Sequence, residues 1–470
     1  MSPATIAPIE RAAQAIRPDS TLGNTEKADA LRALSVSLGE HPSADQATEV
    51  LSVISLPSLY NALSTDDEIL IDVVCDLIEK LFRPFPYDGL LAPENKPYLL
   101  EGLTHFTPSI RHLSLTQVEK CLSTQESVQT MVHSEVFPLL LATLAFQDTR
   151  TANKAVDVVY RIAGSSDHAF RECERSGLLH ALLNELTSED LLLKLNAIET
   201  LSEIAATANG VIFLEKANLL KELALVLDRE DEDDVAVVLT KCAVLKFFGK
   251  LGEDKDVNFE SIEASCHLLV RLQHCLDSAN KEILVTSIAS IGLIGSHANG
   301  LRLIHGSPLK NLLPGLYRSA TSDVKCVVLQ SLSKLIAVRD QADTAVDQMT
   351  RDIYQELDGR PTTLQSLTRT AKDPSEETRT AAFALMQAIA THIWGCQDMA
   401  QSDELINYLL DRTTEHTLQG QTWKYAIVET ITTAPNAQQV LGNNYHRFLL
   451  YVRQGPYYRV AETTAATENV

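Results

Sequence analysis

Two pairs of potential metal ligands stand at the ends of the segment "CHLLVRLQHC": Cys266 with His267, and His274 with Cys275. Thiolate and imidazole are the ligands that zinc takes in tetrahedral protein sites. On one helix the two histidines would lie roughly 10 Å apart along the axis, whereas zinc needs each ligand about 2 Å away. One helix therefore does not close a zinc site, and we expect two separate buried or half-buried pairs.

Three glycines in "IGLIGSHANG" (Gly292, Gly295 and Gly300) offer a second possible chemistry, the cradling of a phosphate group. A nucleotide-binding glycine loop follows a strand, but this segment has helical spacing. We therefore favour glycines that let helices approach closely or that end a helix. The sequence also has no P-loop, G-x-S-x-G or H-E-x-x-H motif. We predict no enzyme, no metal and no cofactor, and keep an enzyme with an unfamiliar site as an alternative.

The acidic run "REDEDD" (229–234) is a third candidate. Such runs are usually solvated, and the alternative is a contact for a basic partner. We place this run in a turn between two helices of a repeat.

The elements that must position these residues are helices. In "SDVKCVVLQSLSKLIAV" the apolar side chains recur every three or four residues, which is typical of a helix with one buried side. Other segments show the same spacing, and no alternating strand pattern with hairpin turns is present. The sequence predicts an all-α fold.

Helix-opening hydrophobic pairs recur along most of the chain, at Val136, Leu178, Leu219, Leu268, Leu312, Leu364 and Leu405. Their mean spacing is about 45 residues, the period of armadillo and HEAT repeats. A second helix of the repeat often starts at an acidic turn, as at Asp373, which we expect to cap a helix beginning with Pro374. We predict an armadillo/HEAT-like helical repeat solenoid with a concave binding face.

We divide the chain into three parts. Residues 1–45 are predicted to form a poorly ordered or loosely helical cap, and residues 46–454 the repeat array. Residues 455–470 are predicted to form a C-terminal capping turn and a flexible tail. A proline-rich insertion is expected near residues 83–97, where four prolines occur: Pro84, Pro86, Pro93 and Pro97.

The composition limits the partners and the compartment. The chain of 470 residues has 62 acidic and 40 basic side chains and a net charge of -22. Such a surface repels phosphate backbones, so we expect no nucleic acid and favour a basic protein surface. The eight cysteines are scattered and suit reduced thiols in helical cores. No signal peptide or membrane-spanning stretch is evident. We predict a soluble protein of the cytoplasm, with the nucleus as a second compartment.

Several motifs occur in a recognisable order: the repeats, "KFFGKLG" (246–252), "IGLIGSHANG" (291–300) and the closing "NYHRFLLYVRQGPYYRV" (444–460). With them the chain resembles the 26S proteasome non-ATPase regulatory subunit 5 family from about residue 50 to its end. The "GPYYRV" ending is the most specific of these motifs. Residues 1–45 are not part of the likeness.

This resemblance implies a non-catalytic chaperone for assembly of the base of the proteasome regulatory particle. It would hold the C-terminal domain of one AAA ATPase subunit and delay docking on the core particle. The partners implied are that domain and its assembly intermediates, with no membrane and no small-molecule substrate. The alternative is a generic armadillo/HEAT scaffold or adaptor for another protein client.

Contact residues are expected on the last helix of each repeat, which lines the groove in armadillo arrays. We select Glu203, Lys250, Asn299 and Lys334 as exposed positions there. Phe247 and Phe248 are further candidates, but adjacent residues on a helix point about 100° apart. One of the two rings must therefore face the core.

The tail is expected to close the array. We predict a last helix with Tyr445, Phe448, Leu449 and Val452 turned inward, stopped by Gly455 and Pro456. Tyr457 and Tyr458 would then fold back over the exposed end of the core, because terminal repeats need a cap. The alternative is that these two tyrosines contact the partner directly.

Overall fold

A computed structural model describes residues 3–85, 95–146, 148–184, 186, 189–340 and 343–458. Within these ranges the α-helices and short 3₁₀ helices are the regular elements, and no strand occurs, which confirms the all-α prediction. The chain forms two compact units, Met1–Gly210 (unit 1) and Val211–Val470 (unit 2). Each unit is described by itself.

Unit 1 is built from helices of 6 to 17 residues, of which α10 is the longest. They are α1 (Pro3–Ala15), α2 (Asn24–Leu38), α3 (Ala44–Val53), α4 (Leu56–Asn61), α5 (Glu68–Phe82), α6 (Lys96–Leu103), α7 (Pro108–Lys120), α8 (Gln125–Val132), α9 (Val136–Leu144), α10 (Thr149–Ser165), α11 (Asp167–Arg175), α12 (Leu178–Asn184) and α13 (Leu191–Ile204). Helix α14 (Ala208–Lys216) contains the boundary between the units.

The N-terminal region is better packed than the sequence suggested. Ile9 and Ala12 of α1 and Leu31 and Leu34 of α2 are almost fully buried in one hydrophobic cluster with α5. Of the predicted poorly ordered or loosely helical cap in residues 1–45, the structure describes two helices, α1 and α2, that share a core. Burial of these apolar side chains stabilises α1 and α2, although the region is rich in Ala, Pro and Ser.

Unit 2 repeats a pattern of two short helices followed by a long one. Its helices after α14 are α15 (Leu219–Val226), α16 (Val235–Glu253), α17 (Phe259–Cys266), α18 (Leu268–Leu276), α19 (Lys281–Ile294), α20 (Ala298–His305), α21 (Leu309–Ser319), α22 (Ser322–Ile336), α23 (Thr344–Glu356), α24 (Thr363–Thr370), α25 (Glu376–Ala390), α26 (Ile393–Ala400), α27 (Asp403–Leu410), α28 (Leu418–Thr433), α29 (Ala437–Leu441) and α30 (Tyr445–Gln454). Short 3₁₀ helices lie at Arg412–Thr414 and Gly442–Asn444. The three-helix period confirms the armadillo/HEAT-like repeat.

Successive long helices approach closely because small residues lie between them. A Cβ atom on Gly292 of α19 would come within 2.7 Å of Ser331 Cα on α22. The Ser331 hydroxyl donates a hydrogen bond to the Ile288 carbonyl oxygen (2.8 Å). Ser290 of α19 does the same to Leu245 of α16 (2.7 Å). The glycines of "IGLIGSHANG" thus serve close helix packing, as predicted.

A glycine at the start of some repeats fits against the end of the preceding long helix. A Cβ atom on Gly300 would lie 1.7 Å from the Ile294 carbonyl oxygen, and one on Gly395 would lie 1.9 Å from that of Ile389. Gly210 has the same relation to Ile204 in unit 1, at 1.8 Å. In each case the glycine lies six positions after the isoleucine, so the spacing is a sequence signature of the turn between repeats.

Polar side chains begin the long helices. The Asp148, Asp190 and Asp234 carboxylates accept hydrogen bonds from backbone N–H groups in the first turns of α10, α13 and α16. Each bond satisfies a donor that the helix itself leaves free. For α25 the prediction is two residues early, since Ser375 caps the helix and Asp373 accepts from Ser375 N instead.

In both units, an arginine near the start of a long helix donates hydrogen bonds to backbone carbonyl oxygens of the loop before that helix. In unit 1, Arg111 donates to the carbonyl oxygens of His105 and Phe106 and pairs with Asp148. In unit 2, Arg379 donates to the carbonyl oxygens of Asp373 and Pro374 and pairs with Glu415. Both arginines contact carbonyls five and six residues earlier, so this device recurs with the repeat.

Two further predictions meet the structure only in part. Of the proline-rich insertion, Pro86 and Pro93 lie outside the described residues, whereas Pro97 lies in the first turn of α6.

All eight cysteines are free thiols, and all but Cys326 are buried. In the described part of the chain no helix is long and apolar enough to cross a bilayer.

Candidate protein-interaction surface

The long helices of unit 2 form a row in which α16, α19, α22, α25 and α28 contact one another in succession. Each presents three exposed or half-buried positions spaced three or four residues apart, on the helix or within two residues of its end. We call these positions the long-helix surface: Lys246, Lys250 and Glu253; Ala289, Leu293 and Ser296; Gln330, Lys334 and Ala337; Ala384, Gln387 and Thr391; Ala426, Thr430 and Thr433.

The α16 end of this surface carries cations. Lys334 Nζ lies 3.2 Å from Glu253 Oε1, and this ion pair joins α22 to α16 across the row. Lys246 and Lys250 are exposed and have no carboxylate within 4.0 Å in the part of the chain that the structure describes. Although the chain carries a net charge of -22, this end of the surface is locally basic. The exposed side chains at this end are thus mostly cationic, unlike those of the chain as a whole.

Two of the selected lysines occupy equivalent positions in their repeats. Lys250 precedes the buried Leu251, and Lys334 precedes the buried Leu335. Glu203 of α13, in unit 1, likewise precedes the buried Ile204 and is exposed. The selection of these three positions thus found the same place on the last helix of three repeats.

Phe247 and Phe248 do not belong to this surface. Both rings are fully buried (0% exposed) and meet edge to face, with centroids 5.1 Å apart. The helix is packed on more than one side, so adjacent residues both reach the interior. Neither ring offers a surface to a partner, and we remove both from the candidates.

Asn299 is placed differently from the prediction. It lies on α20, the first helix of its repeat, and not on a long helix. Its Oδ1 accepts a hydrogen bond from Arg302 Nη1 (2.9 Å), and Arg302 also pairs with Asp343 (2.6 Å). Asn299 is exposed but belongs to this separate polar group.

The C-terminal turn is held mainly by one arginine. Arg412 donates to the carbonyl oxygens of Tyr451 (3.0 Å), Gly455 (2.9 Å) and Pro456 (3.2 Å). Its guanidinium also lies 3.8 Å from the Tyr451 ring centroid and 5.5 Å from that of Tyr458. Arg412 was not predicted from the sequence, because its contact with Tyr451 spans 39 residues and no local pattern indicates such a contact.

The four predicted cap residues follow α30 as a turn. Gly455 ends the helix with φ of +80°, a value that favours glycine. Tyr457 and Tyr458 are 53% and 41% exposed, and Thr422 Oγ1 lies 2.9 Å from the Tyr457 hydroxyl. The inward residues of α30 are Phe448 and Tyr451, whereas Tyr445, Leu449 and Val452 are only half-buried. The tyrosines therefore lie at the end of the array without being buried in it.

The segment "CHLLVRLQHC" is not one helix. His267 has φ of +48° and separates α17 from α18. Cys266 and Cys275 are buried, and burial raises the pKa of both thiols. Among the described residues no group of three His, Cys, Asp or Glu side chains is placed to hold a metal ion.

The acidic run before α16 has an internal role. Glu232 accepts hydrogen bonds from Lys241 Nζ (2.9 Å) and Ser278 Oγ (2.6 Å), and Lys241 is only 3% exposed. Burial opposes ionisation of Glu232, but these two donors lower its pKa. Asp231 and Asp233 remain exposed. The run thus contributes a half-buried carboxylate to an ion pair with a buried lysine, and the rest of it is solvated.

Comparison with known proteins gives a consistent picture. A family model described as "Proteasome non-ATPase 26S subunit" matches residues 16–165 and 154–470. The chain is 24% identical over 366 residues to the 26S proteasome non-ATPase regulatory subunit 5 of Bos taurus, covering 77% of this chain and 72% of the relative. For the Mus musculus subunit the identity is 23% over 492 residues, covering 94% and 96%. The likeness thus begins before residue 45, earlier than the sequence analysis placed it.

Solved structures that resemble the chain include engineered repeat proteins. An engineered protein from a structural genomics consortium covers 91% of this chain and 100% of its own, with 16% identity and a TM-score of 0.48. A designed armadillo repeat protein covers 53% of this chain and 98% of its own, with 18% identity and a TM-score of 0.37.

Proposed function

Because the chain belongs to the proteasome non-ATPase 26S subunit family, we propose that it is a non-catalytic chaperone for assembly of the regulatory particle base. It holds the C-terminal domain of one AAA ATPase subunit in the cytoplasm and delays docking of the ATPase ring on the core particle. Its relatives carry the name of a proteasome regulatory subunit, which supports a role connected with the proteasome.

The long-helix surface is the observation that carries this proposal. Five neighbouring helices present exposed or half-buried positions at the same spacing, so one folded domain can contact several repeats together. We propose that these helices line a concave groove and that Lys250 and Lys334 contact the client there. Glu203 is proposed for the same role in unit 1. Tyr457 and Tyr458 are proposed as the cap of the array.

The exposed lysines at the α16 end set the electrostatics of the proposed contact. An acidic patch on the client would approach Lys246 and Lys250, which have no carboxylate partner among the residues that the structure describes. Rim charges of this kind change the association rate and its salt dependence more than the final affinity. Association is therefore expected to slow as salt is added.

A pull-down of the purified protein with each isolated ATPase C-terminal domain tests the proposal. Selective binding of one domain, weakened by salt, is expected. If no domain binds while circular dichroism shows the chain to be folded, the proposed client is wrong. A generic armadillo/HEAT scaffold for another client would then be the better account.

A further inference from the structure

A polar cavity in unit 2 is separate from the long-helix surface. Its volume is about 810 Å³, and it lies between the end of α21, the start of α22 and the segment that joins α23 to α24. The residues that line it are Tyr317, Arg318, Lys325, Gln355, Glu356, Asp358, Gly359, Arg360 and Ser366.

Three cations line this cavity and a fourth stands beside it, all without an ion-pair partner among the described residues. Arg318, Lys325 and Arg360 line it, and Arg369 donates a hydrogen bond to the Arg360 carbonyl oxygen (3.4 Å). None of the four has a carboxylate oxygen within 4.0 Å in the part of the chain that the structure describes, whereas Arg271 of the same unit pairs with Asp228 at 2.9 Å. Four unpaired cations are unexpected in a chain whose net charge is -22.

Two acidic residues also line the cavity but do not neutralise it. Glu356 and Asp358 are exposed, and Arg318 contacts Glu356 through its backbone carbonyl oxygen, not its carboxylate. The three cations that line the cavity exceed its two carboxylates by one, and a cleft concentrates such a field. The cavity is therefore locally positive.

An aromatic ring forms the floor between these cations. Tyr317 is 3% exposed, and its hydroxyl lies 3.1 Å from Ser366 Oγ. Lys325 Nζ lies 5.8 Å from the ring centroid. This hydrogen bond between Tyr317 of α21 and Ser366 of α24 holds the ring in place between the cations.

We propose that this cavity binds an acidic peptide segment, rich in Asp or Glu, of a partner protein. Guanidinium groups pair with carboxylates through two parallel hydrogen bonds. The cations stand on three different elements around a cavity larger than a single anion, so an extended segment with several carboxylates can reach them together. This proposal does not depend on the identity of the client at the long-helix surface.

Fluorescence anisotropy with a labelled oligoglutamate peptide and the full chain tests the proposal. Arg318→Gln combined with Arg360→Gln is expected to weaken binding at least about tenfold, a loss of about 1.4 kcal/mol, because two charge-assisted pairs are removed. Arg229→Gln combined with Arg453→Gln is the matched control, because both of these arginines are exposed in unit 2 away from the cavity. The control is expected to bind like the wild type.

Other outcomes overturn the proposal. It is wrong if the peptide does not bind the wild type, or if both double variants bind equally. It is also wrong if inorganic phosphate displaces the peptide completely at equal concentration, because the site would then be a simple anion site. Hydrogen exchange of the wild type, with protection by the peptide expected at residues 317–325 and 355–366, gives a test that needs no variant.

Discussion

Lys424 is a buried cation whose titration follows from its surroundings. Its side chain is 1% exposed. Nζ donates hydrogen bonds to the carbonyl oxygens of Tyr408 (2.9 Å) and Asp411 (2.7 Å) and to Thr414 Oγ1 (2.6 Å). Burial lowers the pKa of this amine from 10.5 to about 8, against the opposing effects of Asp411 and Glu415.

The lowered pKa makes stability depend on pH in a definite direction. Between about pH 8 and 10.5 the unfolded chain keeps a proton on Lys424 that the folded protein has released. The unfolded state then binds more protons, so the free energy of unfolding rises with pH across this window. The difference of about 2.5 pKa units corresponds to about 3 kcal/mol in all.

Urea unfolding of the wild type and of Lys424→Met, followed by tryptophan fluorescence, measures this effect. Both tryptophans, Trp394 and Trp423, lie in unit 2, and Trp423 is adjacent to Lys424. Buried thiols and tyrosines also titrate in this range, but their contribution is the same in both proteins and cancels in the difference. That difference, wild type minus variant, is expected to rise by about 1–3 kcal/mol between pH 8 and 10. Parallel pH profiles would refute the reasoning.

The remaining predictions concern packing and the C-terminal turn. Gly292→Ala is expected to lower stability by about 1–3 kcal/mol in thermal unfolding, because its Cβ would meet a backbone atom of α22 at 2.7 Å. Gly315→Ala, whose Cβ would meet no atom within 4 Å, is instead expected to raise the stability by about 0.5–1 kcal/mol. If both alanine variants changed stability by the same amount, the close packing at Gly292 would be contradicted. Arg379→Met is expected to lower the free energy of unfolding in urea by about 3–5 kcal/mol. The substitution removes the cation that pairs with the Glu415 carboxylate, which is only 3% exposed. Arg412→Gln is expected to release the C-terminal turn and speed chymotrypsin cleavage after Tyr451; an unchanged cleavage rate would show that the arginine does not hold it.

Local patterns in the sequence were sufficient for the repeat and for its exposed positions. Helical spacing and the period of about 45 residues predicted the helices, because each long helix needs one apolar side for its neighbours. The same patterns found Lys250 and Lys334, which stand just before buried leucines. Glu253 was missed, although it lies one turn after Lys250 and pairs with Lys334.

Contacts between distant residues explain what the sequence did not predict. Phe247 and Phe248 are both buried because α16 is covered on more than one side. Helical periodicity predicts only one buried side, so it indicated that one of the two rings would be exposed. Arg412 reaches the last turn across 43 residues. The break at His267 depends on a positive φ value, for which histidine gives no strong signal.

The central claim is that the long-helix surface binds the C-terminal domain of a proteasomal ATPase, and a calorimetric titration of that domain tests it most directly. The domain selected by pull-down would be titrated into the wild type, into Lys250→Glu combined with Lys334→Glu, and into Lys221→Glu. Lys221 is exposed on α15, outside the row of long helices, and provides the matched control. The account predicts that the double variant binds at least about tenfold more weakly, a loss of about 1.4 kcal/mol, and that Lys221→Glu binds normally. Equal affinity of all three proteins would contradict the account.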